Sequence, residues 1–431
     1  MSDWQQISFG DLGTPVRRKA PVPPQGSRAS MTDSYPLRPL GEVMRLDIQR
    51  TPMQPTTTYR LAGVLNAGKG VIAKGELDGG DTEYTAMNVL HADQVVMRKL
   101  TAWEGPITVV PAEFDGFVVS NEFPTFTLGP EIMPDWMRHV CGSPRLWAEM
   151  KNRVSGTVQR RKRLNPEQLL QIQLPIPPRE VQARIVEMLD AVDDQVTALV
   201  GETLAAVRVQ CRLLDEFTST ATSNAKLLGD LCPVIGSGPS WAAKDESSVL
   251  SEEALTVLKI TNTRPDGSID LSELAYVAGL PARTKVIGPT SLVMIRTNGN
   301  RKRIGNVYLP PEEVHAAAVS AFQFILDALD IETRDYLYLV LRSPRIQHQM
   351  SESASGSTGL GNLAVRWLKT LEIPWPNAET RKIQMEAVQA IDAKIAAARA
   401  EAGRLRQVRA GLLSGLLDRT IDFEYAELLE V

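Results

Sequence analysis

The chain predicts an α+β fold of two tandem, pseudo-symmetric domains, each followed by a long helix with a coiled-coil seam. Three observations predict it. The first is a repeated segment: Leu174-Pro175-Ile176-Pro177-Pro178 comes back as Ile373-Pro374-Trp375-Pro376, each time before a long charged helix. Proline fixes φ, removes a backbone donor and keeps the residue before it out of the helical region, so each copy is a stiff helix entry. The second is positional. Leu164, Leu169, Pro175, Glu180 and Asp193 fall on Leu363, Leu368, Pro374, Glu379 and Asp392 at one constant shift. Upstream, one residue further apart, Ser143-Pro144-Arg145, Met150 and Ser155-Gly156 fall on Ser343-Pro344-Arg345, Met350 and Ser355-Gly356. A repeat of this length means one supersecondary unit used twice. The third is a heptad seam in each helix. Leu189, Val192, Val196, Leu199, Thr203, Ala206, Gln210, Leu213 and Phe217 step by three and four. So do Val388, Ile391, Ile395, Ala398, Ala402, Leu405, Arg409, Leu412 and Leu416, with the polar residue at the same place. A seam this regular meets another helix.

The elements follow in order. Residues 1–33 hold Pro15, Pro21, Pro23, Pro24, Gly26 and a basic cluster; they cannot bury a core and read as a disordered tail. The first domain is expected over 34–177, the first helix over 178–222, the second domain over 223–376, the second helix over 377–418 and a C-terminal tail over 419–431. Within the domains, Asp93–Met97, Gly116–Val119, Ser291–Ile295 and Phe322–Leu326 read as strands. Pro134–Lys151 and Asp335–Glu352 read as helical stretches. A Gly/Ser loop follows each, at Ser155-Gly156-Thr157 and Ser355-Gly356-Ser357-Thr358-Gly359.

Composition narrows the function. A net charge of −4 does not announce a polyanion partner, though local basic loops matter more than the sum. Cys141, Cys211 and Cys232 are odd in number and lack C-x-x-C spacing, so no disulfide framework is expected. With no long apolar run and no signal pattern, a soluble cytoplasmic protein is expected, with no membrane partner.

Enzyme motifs are missing. Gly63-Val64-Leu65-Asn66-Ala67-Gly68-Lys69 fits G-x-x-x-x-G-K, but Gly70 stands where Ser or Thr would hold Mg²⁺, so a glycine-rich turn between strands is expected. Gly236-Ser237-Gly238 is followed by Pro239 and lacks a third glycine. His91, His139, His315 and His348 are scattered without metal spacing. No Asn/Asp-Pro-Pro-aromatic motif of an amino-methyltransferase is present, nor a G-x-S-x-G elbow.

What remains is chemistry suited to phosphates and base edges. Thr157, Gln159, Arg160, Arg161, Lys162 and Arg163 lie in and after the first Gly/Ser loop. Thr297, Asn298, Asn300, Arg301, Lys302 and Arg303 follow a strand of the second domain. Arg98, Lys99, Trp103 and Asn121 are the further first-domain candidates. Arg and Lys on loops neutralise phosphates; Asn and Gln pair with adenine edges and Arg with guanine. Trp103 suits stacking or a half-buried core position equally.

The arrangement resembles the specificity (S) subunit of type I restriction–modification systems. The residues that carry the resemblance are the tandem halves, the Gly/Ser loops and the run Leu174-Pro175-Ile176-Pro177-Pro178-Arg179-Glu180-Val181-Gln182-Ala183-Arg184-Ile185-Val186. The second half departs from that pattern, with Asn377 for the second proline, Arg381 for the glutamine and Gln384 for the isoleucine. The resemblance covers about residues 35 to 418. It implies a non-catalytic reader of double-stranded DNA, with two target-recognition domains on a split sequence, separated by the two long helices, which form an antiparallel coiled coil that sets the unread gap. It implies two methyltransferase subunits using S-adenosylmethionine as partners, and restriction subunits using ATP and Mg²⁺ beside them, with no cofactor bound by this chain. The alternative reading is a DNA-reading or coiled-coil scaffold subunit of a related phage-defence complex.

Overall fold

Each Pro-x-Pro segment closes its domain as an antiparallel strand against that domain's first strand. Gln173–Pro175 pairs with Leu37–Pro39, and Glu372–Pro374 pairs with Ala225–Leu227. The backbone bond that seals the corner also repeats, Leu40 N–H to Ile172 at 2.8 Å and Leu228 N–H to Leu371 at 2.8 Å. A computed structural model describes residues 35–155, 162–219, 224–356, 359–418 and 420–421. They fall into two compact units: the described parts of 1–186 and 412–431, and residues 187–411. The unit boundaries fall within the two long helices.

The first unit holds two larger sheets. Met44–Leu46, Thr125–Leu128, Val95–Met97 and Ile107–Val109 form one, in that order and antiparallel throughout. Val95, Val96 and Met97 are completely buried, which suits a run with no polar alternation. Arg50–Pro52, Ala86–Val89, Val118–Val119, Thr58–Val64 and Val71–Asp78 form the other, with Thr58–Val64 parallel to Val118–Val119. The expected helical stretch 134–151 is two helices, α1 (Pro134–Cys141) and α2 (Pro144–Arg153). Pro144 removes a donor that a continuous helix needs, and Ser143 caps α2 by accepting the Arg145 N–H. A short helix, α3 (Pro166–Leu170), precedes the closing strand; Gln168 accepts the Asn165 N–H at 2.8 Å at its start.

The long helix α4 (Arg179–Ser219) starts in this unit. Gln182 is fully buried at its entry. It accepts the Met133 N–H at 2.8 Å and donates to the carbonyls of Glu131 at 3.0 Å and Pro177 at 2.9 Å. The glutamine of the motif is therefore an internal clamp. The last turns of the C-terminal helix also belong here: Leu413, Leu416 and Leu417 are buried, and Asp418 pairs with Arg145.

The second unit repeats the plan. After α5 (Leu228–Leu231), one sheet runs Val234–Ser237, Gln323–Asp327, Ser291–Ile295 and Val307–Tyr308. The other runs Glu246–Ser247, Ala275–Ala278, Ala254–Leu258 and Ala318–Val319, with its last two strands parallel. The second helical stretch also divides, into α6 (Ile331–Leu341) and α7 (Pro344–Ser353). α6 begins four residues before the expected Asp335 because Asp330 caps it, accepting the Thr333 N–H at 2.7 Å. Then come α8 (Val365–Lys369) and α9 (Ala378–Leu417). At the α9 entry Arg381 stands where Gln182 stands in α4. It donates to the Pro376 carbonyl at 2.9 Å, pairs with Glu332 at 2.7 Å and lies 4.6 Å over the Trp375 ring. Gln384 accepts the Tyr336 hydroxyl at 3.0 Å, while the matching first-unit residues Ile185 and Trp136 are fully buried apolar groups. The departures of the second copy are thus matched changes inside its own core. The far end of α4 packs here: Leu214 joins the core, and Asp215 accepts the Arg345 N–H at 3.0 Å.

Residues 187–411 contain the helix pair itself. Gln210 donates to Asp392 at 2.6 Å, and Arg409 donates to Asp193 at 2.5 Å. Lys394 pairs with Glu202 at 2.8 Å. Partners that rise on α4 as they fall on α9 make the pair antiparallel. The two polar seam residues each meet the repeat-mate of the other's aspartate, so the crossed bonds obey the internal repeat. Ile395, Ala398 and Ala402 are buried in the seam, opposite a helix whose Leu199, Thr203 and Ala206 are half-buried. Among the described residues, no helix is long and apolar enough to cross a membrane.

Candidate nucleic-acid interface

In each unit the loop after the central buried strand zips against the Gly/Ser loop segment. In the first unit Leu100 bridges Arg163, Thr101 N–H bonds to Lys162 at 3.0 Å and Leu164 N–H to Lys99 at 3.1 Å. In the second, Thr297–Asn298 pairs with Gly361–Asn362, and Leu363 N–H bonds to Arg296 at 3.0 Å. The turn between Val118–Val119 and Thr125–Leu128, and its counterpart between Ala318–Val319 and Gln323–Asp327, joins the same cluster. Lys99 N–H bonds to Glu122 at 2.9 Å, and Arg296 N–H bonds to Phe322 at 2.8 Å. Three segments distant in sequence are thus gathered at one edge of each unit, by equivalent backbone bonds.

The structure sorts the sequence candidates. Arg98 is internal to the cluster: it donates to Asn66 at 2.8 Å, Thr101 at 2.6 Å, Glu104 at 3.3 Å and the Leu100 carbonyl at 3.0 Å. Its guanidinium holds the loop in shape. Trp103 is half-buried in a single helical turn, Ala102–Glu104, and its buried indole N–H has no hydrogen-bond partner among the described residues. Asn121 is exposed at the turn tip. Arg163 is exposed and pairs with Glu122 at 3.0 Å, while Lys99 and Lys162 are half-buried beside it. Thr157, Gln159, Arg160 and Arg161 lie outside the described residues.

In the second unit Asn300, Arg301 and Lys302 are exposed on a tight loop. Asn298 accepts the Asn300 N–H at 2.8 Å, and Asn300 accepts the Lys302 N–H at 3.1 Å, so two asparagines shape the backbone. Arg301 donates to Gly356 at 3.4 Å, which ties the loop to the Gly/Ser segment. Thr297 donates to Asn362 at 2.8 Å. Arg303 turns inward instead and donates to the Thr263 carbonyl, with Tyr308 Oη at 3.5 Å. Arg296, not among the candidates, spans the cluster through Asn362 at 3.0 Å and the Ala321 carbonyl at 3.4 Å. A basic residue directly after the apolar run Leu292–Ile295 was its only sequence signal.

The Gly63–Lys69 segment is a hairpin turn between Thr58–Val64 and Val71–Asp78, as expected. Its Ala67 and Gly68 N–H groups bond to Glu104 at 2.8 Å and Gly105 at 2.9 Å. Donors so engaged cannot cradle a phosphate. Gly68 has φ 60°, and a Cβ there would lie 2.6 Å from the Cys141 carbonyl oxygen, so the glycines serve close packing.

Comparisons with known proteins agree with this organisation. Residues 148–208 match the family described as type I restriction modification DNA specificity domain. That span holds the Gly/Ser loop, the Pro-x-Pro strand and most of α4. No curated protein matches the chain. The fold is similar to a chain in a structure described as the basis of complex assembly and conformational transition of the type I R-M system. That likeness has a TM-score of 0.58 at 18% identity, over 90% of this chain and 98% of the other. The HsdS subunit from Thermoanaerobacter tengcongensis is similar with TM-score 0.42 and 17% identity, over 89% of this chain and 97% of that one. The S subunit of a type I system from M. genitalium is similar with TM-score 0.47 and 14% identity, over 90% and 98%. The resemblance drawn from the sequence is thus met both by a family match and by the fold.

Proposed function

We propose that this chain is the DNA-specificity subunit of a type I restriction–modification complex, reading a bipartite target with its two repeated units. The observation that carries the reading is the duplicated edge cluster. Each unit presents a differently composed set of polar and basic side chains on the same backbone frame, as two readers of unlike half-sites require. The segment that matches the specificity family includes the loop that completes the first cluster. In this reading the chain itself carries no catalysis and directs chemistry performed by its partners. Adenine methylation belongs to two methyltransferase partners that use S-adenosylmethionine, and cleavage to restriction partners that use ATP and Mg²⁺.

The test is a genome-wide map of adenine methylation in the source cell with and without this gene. One split motif should lose its methylation on deletion. An unchanged map in a cell that expresses the chain overturns the reading. The purified chain alone, given duplex DNA and S-adenosylmethionine, should transfer no methyl group.

A further inference from the structure

We infer that Phe322 is the apolar base-contacting residue of the second unit, an assignment that rests on the reading of this chain as a DNA reader. Phe322 sits at the tip of the turn between Ala318–Val319 and Gln323–Asp327 and is 49% exposed. A phenylalanine left open is ordinary on a loose loop, but this turn is not loose. The fully buried Gln323 accepts from the Ser320 hydroxyl at 2.7 Å and from its N–H at 3.3 Å, and the Gln323 N–H returns to the Ser320 carbonyl at 3.0 Å. The Arg296 guanidinium holds the Ala321 carbonyl, and the N–H groups of Arg296 and Thr297 both bond to the Phe322 carbonyl, at 2.8 and 3.2 Å. Polar groups thus fix the backbone that presents this exposed aromatic ring, beside the loop that carries Asn300, Arg301 and Lys302. A backbone fixed in this way leaves only side-chain entropy to lose when the ring contacts a partner.

The repeat supplies a second, independent observation. The backbone bond from Arg296 to Phe322 matches that from Lys99 to Glu122, so the two residues occupy one position of the frame. In the first unit that position carries a carboxylate paired with Arg163, next to the exposed Asn121. In the second it carries an exposed aromatic next to Ala321. One half therefore presents hydrogen-bonding groups at its turn tip and the other an apolar one. Duplex DNA offers apolar counterparts in the thymine methyl group and in the faces of partly unstacked bases.

The experiment returns Phe322→Ala, Phe322→Leu and Phe322→Glu genes to a deletion strain and maps adenine methylation. Binding of each purified full chain, with the subunits that co-purify, is measured against duplexes altered in one half-site at a time. Phe322→Ala should relax one or two positions in one half of the motif, and discrimination there should fall about tenfold, the scale of one lost base contact. Phe322→Leu should keep more of it, and Phe322→Glu should abolish it or change the preferred base. The other half-site should be unaffected. A motif identical to wild type in all three variants overturns the inference. So does equal loss at both halves, which would make Phe322 a folding residue. If the wild-type gene itself restores no motif, the proposed function fails, which is a different result from either.

Discussion

At the scale of single residues, charge alone did not identify which basic groups face outward. Arg301, Lys302 and Arg303 read as one cluster in sequence, yet the first two are exposed and the third is turned inward onto Thr263. Their replacement should therefore have two distinct signatures. Arg301→Ala with Lys302→Ala should weaken duplex binding and lower the slope of log K against log salt by about two, since each phosphate contact contributes roughly one unit. Its thermal midpoint should stay put. Arg303→Ala should leave the slope alone and cost about 1–3 kcal/mol of stability, because it strips a charged donor from a half-buried carbonyl. Anisotropy titrations across a salt series, beside thermal melts, separate the two; a salt-slope change on Arg303→Ala alone would reverse the assignment. Arg98, like Arg303, has an internal role that the sequence does not show. A guanidinium that ties together Asn66, Leu100, Thr101 and Glu104 is visible only once the hairpin has folded back on the loop.

At the scale of elements, the repeat made most of the fold legible. Proline positions marked both helix entries, and the heptad steps placed α4 and α9 to within three residues. Local signals failed where a tertiary partner decides. The break at Gly142-Ser143-Pro144 is local and could have been read from the proline. The packing of the last α9 turns into the first unit could not, because leucines at heptad spacing look the same whatever they meet. Gln182 and Arg381 show a further limit: two unlike side chains clamp the same proline carbonyl, so the second copy's departure from the motif preserves the element. The second unit also concentrates carboxyls held below their usual range. Arg264 and then Ser272 do this to Asp270, Lys259 and then Trp241 to Glu246, and the Thr333 N–H at the α6 cap to Asp330. A depressed folded value means stability that is complete above the ordinary carboxylate range, near pH 4, and lost as pH falls through the folded values. The melting temperature should be nearly flat from about pH 7 to 5 and fall below about pH 4. Asp330→Asn keeps a capping oxygen without a proton to gain, so its decline should be shallower. Calorimetry over that range tests this, and a variant with an unchanged acid limb would remove Asp330 from the account.

At the scale of the whole chain, the internal repeat turns one element into a measurable constraint on the DNA target. The seam contains small residues near its middle, and small apolar contacts tolerate sliding by a heptad better than a polar bond does. The crossed bonds, Gln210 with Asp392 and Arg409 with Asp193, therefore set the register. Seven residues inserted after Thr203 alone would carry Gln210 about 10 Å along its helix, at 1.5 Å per residue, and both crossed bonds could not survive together. That variant should lose stability and methylation at the native motif. The same insertion repeated after Ala402 restores both bonds and leaves every residue of the two edge clusters untouched. If the paired helices fix the unread gap, the doubly extended chain should methylate the same two half-sites with a gap longer by about three base pairs, the rise of one heptad in B-DNA. A methylation map of the extended gene reads the gap directly. An unchanged gap in a folded, active variant would assign spacing to the loops, and the crossed bonds would then serve stability alone.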